Sequence, residues 1–304
     1  MVSSLADARP NEKTNLKWQR KMKMHVSDAA DLVAAVGISL AAYLMVPGLA
    51  LAQPADLVSR TALRVCADPA NMPFSNEAGE GLENKIAELL AADLKLPLEY
   101  TWFPQATGFV RNTLGSKRCD VVIGHVAASE VIQNTNPYYK SSWVLVYPKD
   151  RGLDGVEALS DARLKGKRLG IIAGAPPATI MATNGLMSRA KPYALMVDRR
   201  YESPAEEMLG DIASGDVDAG ILWGPIAGYF VKKSGAPLAV VPLLHETKAV
   251  PMTYRITLGL RHGETEWKHR LNEFLTSRQA EIQSILLQYG VPLLDDQDQP
   301  ITGP

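Results

Sequence analysis

Few residues of this chain stand at spacings that could do chemistry, and those that do point to binding rather than catalysis. The stretch Leu63–Ser75, LRVCADPANMPFS, reads as a short buried strand followed by a loop that carries Asp68, Asn71 and Phe74. Thr107, His125, Ala175 and Trp223 occupy comparable places further along, each at a predicted strand end or helix start. In open α/β sheets ligands sit where such loops leave the carboxyl ends of strands. These seven residues are therefore the candidate lining of a cleft. Four of them also have a plainer role: Asp68 as a turn residue, Phe74 and Trp223 as packing, and the lone His125 as hydrogen-bonded scaffold.

Enzyme chemistry finds little support. No G-x-S-x-G, Walker or dinucleotide fingerprint occurs, and nothing pairs a nucleophile with a base. His25, His245, His262 and His269 show no metal-ligand spacing with Cys or carboxylates. No catalytic residue, metal or cofactor is expected. Arg199-Arg200 and Lys232-Lys233 read as solvated faces. Cys66 and Cys119 are the two cysteines of the chain. An oxidising compartment favours a bridge, but strand geometry argues against it. With strands one and three as neighbours, an offset of three or four residues at ~3.3 Å each exceeds the roughly 7 Å that a disulfide spans. The expectation is two unbridged core residues.

The elements that must position the cleft residues follow from periodicity. Gly81–Leu94 has a 3.6-residue apolar stripe (Leu82, Ile86, Leu89, Leu90, Leu94) and reads as a helix. Leu98–Phe103 reads as a strand, Thr107–Lys117 as a short helix and Asp120–Gly124 as a buried strand, a β-α-β-α-β run that demands parallel pairing. Asn136–Lys140 reads as a bend before the strand Trp143–Tyr147. A second α/β cycle follows: strand Arg168–Ile172, helix Pro176–Arg189, strand Ala194–Val197, helix Pro204–Ser214, strand Val217–Leu222, helix Ile226–Lys233 and strand Leu238–Pro242. The two cycles echo each other, since Leu114–Val126 and Ala213–Pro225 both run helix end, Gly, polar residues, Asp, apolar strand. Thr253–Leu260 reads as a strand returning to the first lobe, and Trp267 to Tyr289 as one long helical region closed by Gly290.

The 304 residues are 46% hydrophobic and 21% charged, enough for about two lobes of ordinary size. Formal net charge is −1, with no basic run in the body of the chain, which makes nucleic acid and anionic membranes poor partners. The N-terminus reads as an export signal: Lys17, Arg20, Lys21 and Lys23, an apolar core Leu32–Val46, a Pro47-Gly48 break and an Ala50-Leu51-Ala52 cleavage site. Cleavage after residue 52 is expected rather than an uncleaved anchor, and Met22 is an alternative start. Residues 1–52 hold six of the 32 Lys/Arg and four of the 33 Asp/Glu, so the mature part carries 26 and 29, net −3.

At this point the residues carry a resemblance. Asp68…Pro73-Phe74, Tyr138-Tyr139-Lys140-Ser141, Leu164-Lys165-Gly166-Lys167 and Gly215…Asp218 resemble periplasmic substrate-binding proteins of ABC transporters. The resemblance implies an α/β, two-lobed fold, each lobe a mostly parallel sheet flanked by helices, with two hinge crossings. Lobe I would be 60–147 plus 250–296, lobe II 148–249, with a frayed tail at 297–304. VCADPANMPFSN, GLENKIAELLA, LEYTWFPQ, GFVRNTL and CDVVIG look, more narrowly, like the binding-protein-like component encoded with pyrroloquinoline-quinone methanol dehydrogenases. That implies a monomeric periplasmic accessory of the dehydrogenase and its cytochrome, acting in maturation or activation.

The chain departs from the amino-acid-binding branch of the fold at three positions. Where that branch carries an Arg after the third strand, this chain reads His125–Val131 without one. Pro176-Pro177 removes N–H donors at the start of the second-lobe helix. Trp223 stands where the acidic partner of the ammonium group would be. An ordinary amino-acid ligand is not expected. The competing reading is an ABC-transporter receptor for a small non-amino-acid solute.

Overall fold

A computed structural model describes residues 56–127, 131–149, 151–246 and 250–302. The expected export signal, 1–52, lies outside the described residues.

The chain folds around one long antiparallel strand that belongs to two sheets. In order, β1 (Leu63–Ala67), β2 (Ala70–Asn71), β3 (Ser75–Asn76), α1 (Leu82–Leu94), β4 (Leu98–Trp102), α2 (Phe109–Asn112) and β5 (Val121–Val126) lead to β6 (Gln133–Pro148). After it come β7 (Leu169–Ile172), α3 (Pro177–Thr183), β8 (Lys191–Tyr193), α4 (Pro204–Ser214), β9 (Ala219–Trp223), α5 (Gly224–Ser234) and β10 (Leu238–Pro242). The chain closes with β11 (Thr253–Leu260), α6 (Thr265–Ser277), α7 (Gln279–Gln288), β12 (Leu293–Leu294) and β13 (Pro300–Ile301).

The first half of β6 pairs with β11, which in turn pairs with β5 beside the parallel set β4, β1, β5. Its second half, from Trp143, pairs with β9 and β10, and β9 continues the parallel set β9, β7, β8. The bend expected at Asn136–Lys140 is instead a register shift inside this strand: Tyr139 pairs with Ile256 but Pro137 with Thr257, leaving Tyr138 as the extra residue. β6 is thus one crossing between lobes, and the segment entering β11 is the other.

The core divides the same way. One cluster gathers Leu63, Val65, Leu82, Ile86, Leu90, Ile256, Leu258, Leu271, Phe274 and Ile282. Two others, built from residues between Val144 and Met252, cover the two faces of the second sheet. The stripe on α1 explains its seat, since Leu82, Ile86 and Leu90 are fully buried, each side chain contributing about 1.5–3 kcal/mol. Gly81 is required at its start. A Cβ there would stand 2.1 Å from the Phe74 carbonyl oxygen, and Asn84 Oδ1 accepts from Gly81 N–H at 3.0 Å.

The internal echo has a structural counterpart. Asp120 and Asp218 each precede the last parallel strand of their cycle. Asp120 N–H donates to the Arg64 carbonyl and Asp218 N–H to the Arg168 carbonyl, both at 2.8 Å.

Several expected elements are cut short or displaced. Only Phe109–Asn112 of Thr107–Lys117 is helical, followed by turns. The second strand of the second cycle is Lys191–Tyr193, and Ala194–Val197 is loop. The long C-terminal helix is broken at Arg278. The chain end expected to fray holds a hairpin instead, β12 against β13, with Lys140 Nζ 2.7 Å from Asp298.

The cysteines correct the strand argument. Cys66 and Cys119 are bridged, with Cα atoms 5.4 Å apart. The register was as expected, since Cys66 pairs with Val122, three residues beyond Cys119. The offset argument holds only if the chain runs straight on from the strand back to Cys119, and it does not. Arg118–Asp120 is a bend, so Cys119 folds onto the face where Cys66, Phe109, Leu114 and Val122 pack.

Candidate functional site

The cleft lies between the loops that follow β1 and β4 in one lobe and the loop that follows β8 in the other. Asp68 is 4% exposed, and its carboxylate is the organising group of the first lip. Oδ1 accepts from Ala70 N–H at 2.9 Å and Oδ2 from Gln105 N–H at 2.6 Å. Asn71 Nδ2 donates to Gln105 Oε1 at 2.8 Å, so the two lip loops are tied to each other. Arg199, from the second lobe, reaches across to Asp68 Oδ2 at 3.3 Å. The Arg199-Arg200 pair read as a solvated face thus divides: Arg200 pairs locally with Asp198 at 2.6 Å, while Arg199 bridges the cleft. A dipeptide of arginines on a loop carries no signal of which lobe it faces, and the sequence could not separate them.

A cavity of about 490 Å³ opens between the lobes. Asn71 and Met72 line it from one side, Leu195, Arg199 and Phe230 from the other, and Trp143 and Trp223 form its floor at the strand crossing. Trp223 is fixed by its place at the start of α5 and by edge-to-face contacts with Trp143 and Tyr254, at 6.0 and 5.7 Å between centroids. A second cavity of about 310 Å³ adjoins Asp68, Gln105 and Arg199.

A third cavity, about 130 Å³, lies behind Trp223 toward the first lobe and is lined by Phe74, Glu83, Gln105, His125, Tyr139 and Trp223, among others. Glu83 was missed by sequence reading, since its position in the first turn of α1 resembles an ordinary solvated helix start. It is only 8% exposed. Burial, reinforced by the Asp68 carboxylate, pushes its carboxyl up to about 8. Gly124 makes room for it: a Cβ there would fall 1.9 Å from Glu83 Oε1. Burial also lowers the basicity of His125, whose buried Nε2 has no hydrogen-bond partner.

The structure therefore brings six of the candidate lining residues into two adjoining groups and a core, and leaves the seventh apart. Asp68 and Asn71 stand with Gln105 on the lip, and Phe74, His125 and Trp223 wall the small cavity. Ala175 is 6% exposed and packs in the second-lobe core. Thr107 is exposed in the turn before α2 and lines none of these cavities. Pro176 and Pro177 do open α3, as the sequence implied. The segment Ala128–Glu130, part of the stretch without an arginine, lies outside the described residues. Among the described residues no group of three or more His, Cys, Asp or Glu could hold a metal ion, and no helix is long and apolar enough to cross a membrane.

Comparison with known proteins agrees with this architecture. Residues 114–291 match the family described as bacterial extracellular solute-binding protein. The chain is 31% identical over 260 residues to the protein MoxJ of Paracoccus denitrificans, covering 81% of this chain and 94% of that one. It is 29% identical over 247 residues to MoxJ of Methylorubrum extorquens, covering 76% and 81%. Among solved structures, the periplasmic binding protein XoxJ from Methylobacterium extorquens AM1 superposes with a TM-score of 0.66 at 44% identity, covering 77% of this chain and all of that one. The chain belongs to the bacterial extracellular solute-binding proteins and, within them, to the methanol-oxidation binding-protein-like group of MoxJ and XoxJ.

Proposed function

We propose that this protein works in the periplasm, after removal of residues 1–52, as a monomeric accessory of a pyrroloquinoline-quinone methanol dehydrogenase and its cytochrome. It assists maturation or activation of the dehydrogenase by direct contact rather than by catalysis. The observation that carries the reading is the rim of the cleft. Leu195, Met196 and Tyr201 are 54%, 65% and 81% exposed on the loop that also presents Arg199. Three large apolar side chains held in water beside a cleft are a contact surface in search of a partner. The similarity to MoxJ supports a dehydrogenase as that partner.

The test is sedimentation of the purified protein with the methanol dehydrogenase of the same periplasm. Association is expected for the wild type and a loss of at least tenfold in affinity for the Leu195→Ser, Met196→Ser, Tyr201→Ser triple variant. Equal association of the variant would remove the rim from the account.

A second reading, a transport receptor for a small solute that is not an amino acid, is supported by the size of the main cavity. About 490 Å³ lies within the range of ordinary small-molecule sites. Uptake of a solute that depends on this protein would favour it.

A further inference from the structure

The small cavity behind Trp223 holds a carboxyl that has no counter-charge and keeps its proton instead. Glu83 is buried, yet its carboxyl has no hydrogen-bond or ion-pair partner among the described residues. Among the described residues neither lysine nor arginine lines the cavity, and Arg199 is engaged with Asp68. A buried carboxyl without a partner is costly, and a cation brought by a ligand would remove that cost. The other walls suit such a cation. Phe74, Tyr139 and Trp223 offer aromatic surface, which attracts positive charge. His125, kept neutral by burial, has its Nε2 free of any partner. Gln105 Oε1, which already accepts from Asn71, keeps a second lone pair. Val126 and Ile256 complete the lining with apolar surface for an alkyl chain.

From this the geometry points to a binding site for a primary alkylammonium group, its three N–H donors meeting Glu83, His125 and Gln105. A quaternary ammonium would leave those acceptors unused, and a free amino acid would bring a carboxylate beside Glu83 and Asp68 with no cation to meet it. The group could be a free alkylamine or the Nζ of a lysine on another protein, which share this chemistry.

Binding is linked to a proton. The titratable groups around Glu83 are the Asp68 carboxylate from the β1–β2 loop, the neutral phenols of Tyr138 and Tyr139 from β6 and of Tyr100 from β4, and neutral His125 on β5. None supplies a positive charge. An incoming alkylammonium keeps its own proton up to about pH 10.4, as a lysine does, and Glu83 releases one proton to solvent as the pair forms.

The experiment is calorimetric titration of n-butylammonium chloride into protein purified from its host, at pH 6.5 and pH 9.0. With the Glu83 carboxyl titrating near 8, the ionised fraction rises from about 3% to about 90%, so affinity should rise about 30-fold. Glu83→Gln, which keeps the shape that packs on Gly124, should weaken binding at pH 9.0 at least tenfold and abolish the pH dependence. If that variant does not fold, the wild-type pH profile decides by itself. Capped lysine amide binding more tightly than butylammonium assigns the site to a lysine side chain, and the reverse order assigns it to a free amine. The proposal is overturned if no amine binds at 10 mM and pH 9.0, if 1-butanol or alanine binds as well as butylammonium, or if affinity is the same at both pH values.

Discussion

Arg199 Nη1 lies 3.3 Å from Asp68 Oδ2, an ion pair that joins the two lips of the cleft. Asp68 is nearly enclosed while the Arg199 side chain is 38% exposed, so the pair is partly screened. Arg199→Ala should cost no more than about 1 kcal/mol of folding stability but should shift the lobes toward an open arrangement, read as an increase in the radius of gyration by small-angle scattering. Asp68→Ala should cost more, roughly 2–4 kcal/mol, because the Ala70 and Gln105 N–H groups lose their acceptor as well. An unchanged scattering curve for Arg199→Ala would remove the pair as a latch.

The disulfide gives a second expectation. Cys66 and Cys119 are 53 positions apart in sequence, so removing the bridge should destabilise the protein by roughly 2–4 kcal/mol. Alkylation of denatured protein should label neither sulfur until a reductant is added. Labelling of both without reductant would restore the reading of two free thiols.

Glu83 should leave a mark on stability against pH. Its folded-state pKa of about 8 lies above the ordinary 4.5, so the native state holds the proton where the unfolded chain has lost it. The stability it contributes is complete below about pH 4.5 and is lost as pH rises through 8. At ~1.4 kcal/mol per pKa unit the loss is bounded near 5 kcal/mol. Chemical denaturation at pH 5 and pH 8.5 should show a larger difference for the wild type than for Glu83→Gln, and equal slopes would contradict the buried, unpaired state.

The back of the hinge rests on a glycine contact. α5 passes so close to the end of α7 that a Cβ on Gly228 would stand 1.9 Å from the Gly290 carbonyl oxygen. Tyr229 stacks on Tyr289 at 5.9 Å, and Lys232 Nζ donates to the Gln288 carbonyl at 2.7 Å. Gly228→Ala should therefore lower stability by about 1–3 kcal/mol, whereas Gly210→Ala, which meets nothing within 4 Å, should be neutral or slightly stabilising. Equal melting temperatures for the two variants would show that the contact yields without cost.

The fold was legible where a single face decides an element. α1, α4 and β11 match their apolar patterns because one buried stripe fixes each, and the Asp120 and Asp218 echo survives as the same backbone bond to Arg64 and Arg168. The misses lie where the chain turns. Cys119 sits in a bend whose direction no periodicity records, and Tyr138 is taken up by a register shift visible only once β11 is in place. At the site, the strand ends that carry Asp68 and Trp223 each belong to one lobe and are set by local pattern. Arg199 and Glu83 depend on the meeting of distant segments, and Ala175 faces its own core rather than the cleft.

We propose that this chain serves a methanol dehydrogenase. The most direct test is methanol dehydrogenase activity in periplasmic extract from a strain in which the gene has been deleted, set beside the level of dehydrogenase protein and the uptake of small solutes. The account predicts a marked fall in dehydrogenase activity, restored by the wild-type gene and not by the Leu195, Met196, Tyr201 triple variant, with solute uptake unchanged. Normal dehydrogenase activity in the deletion strain would contradict it.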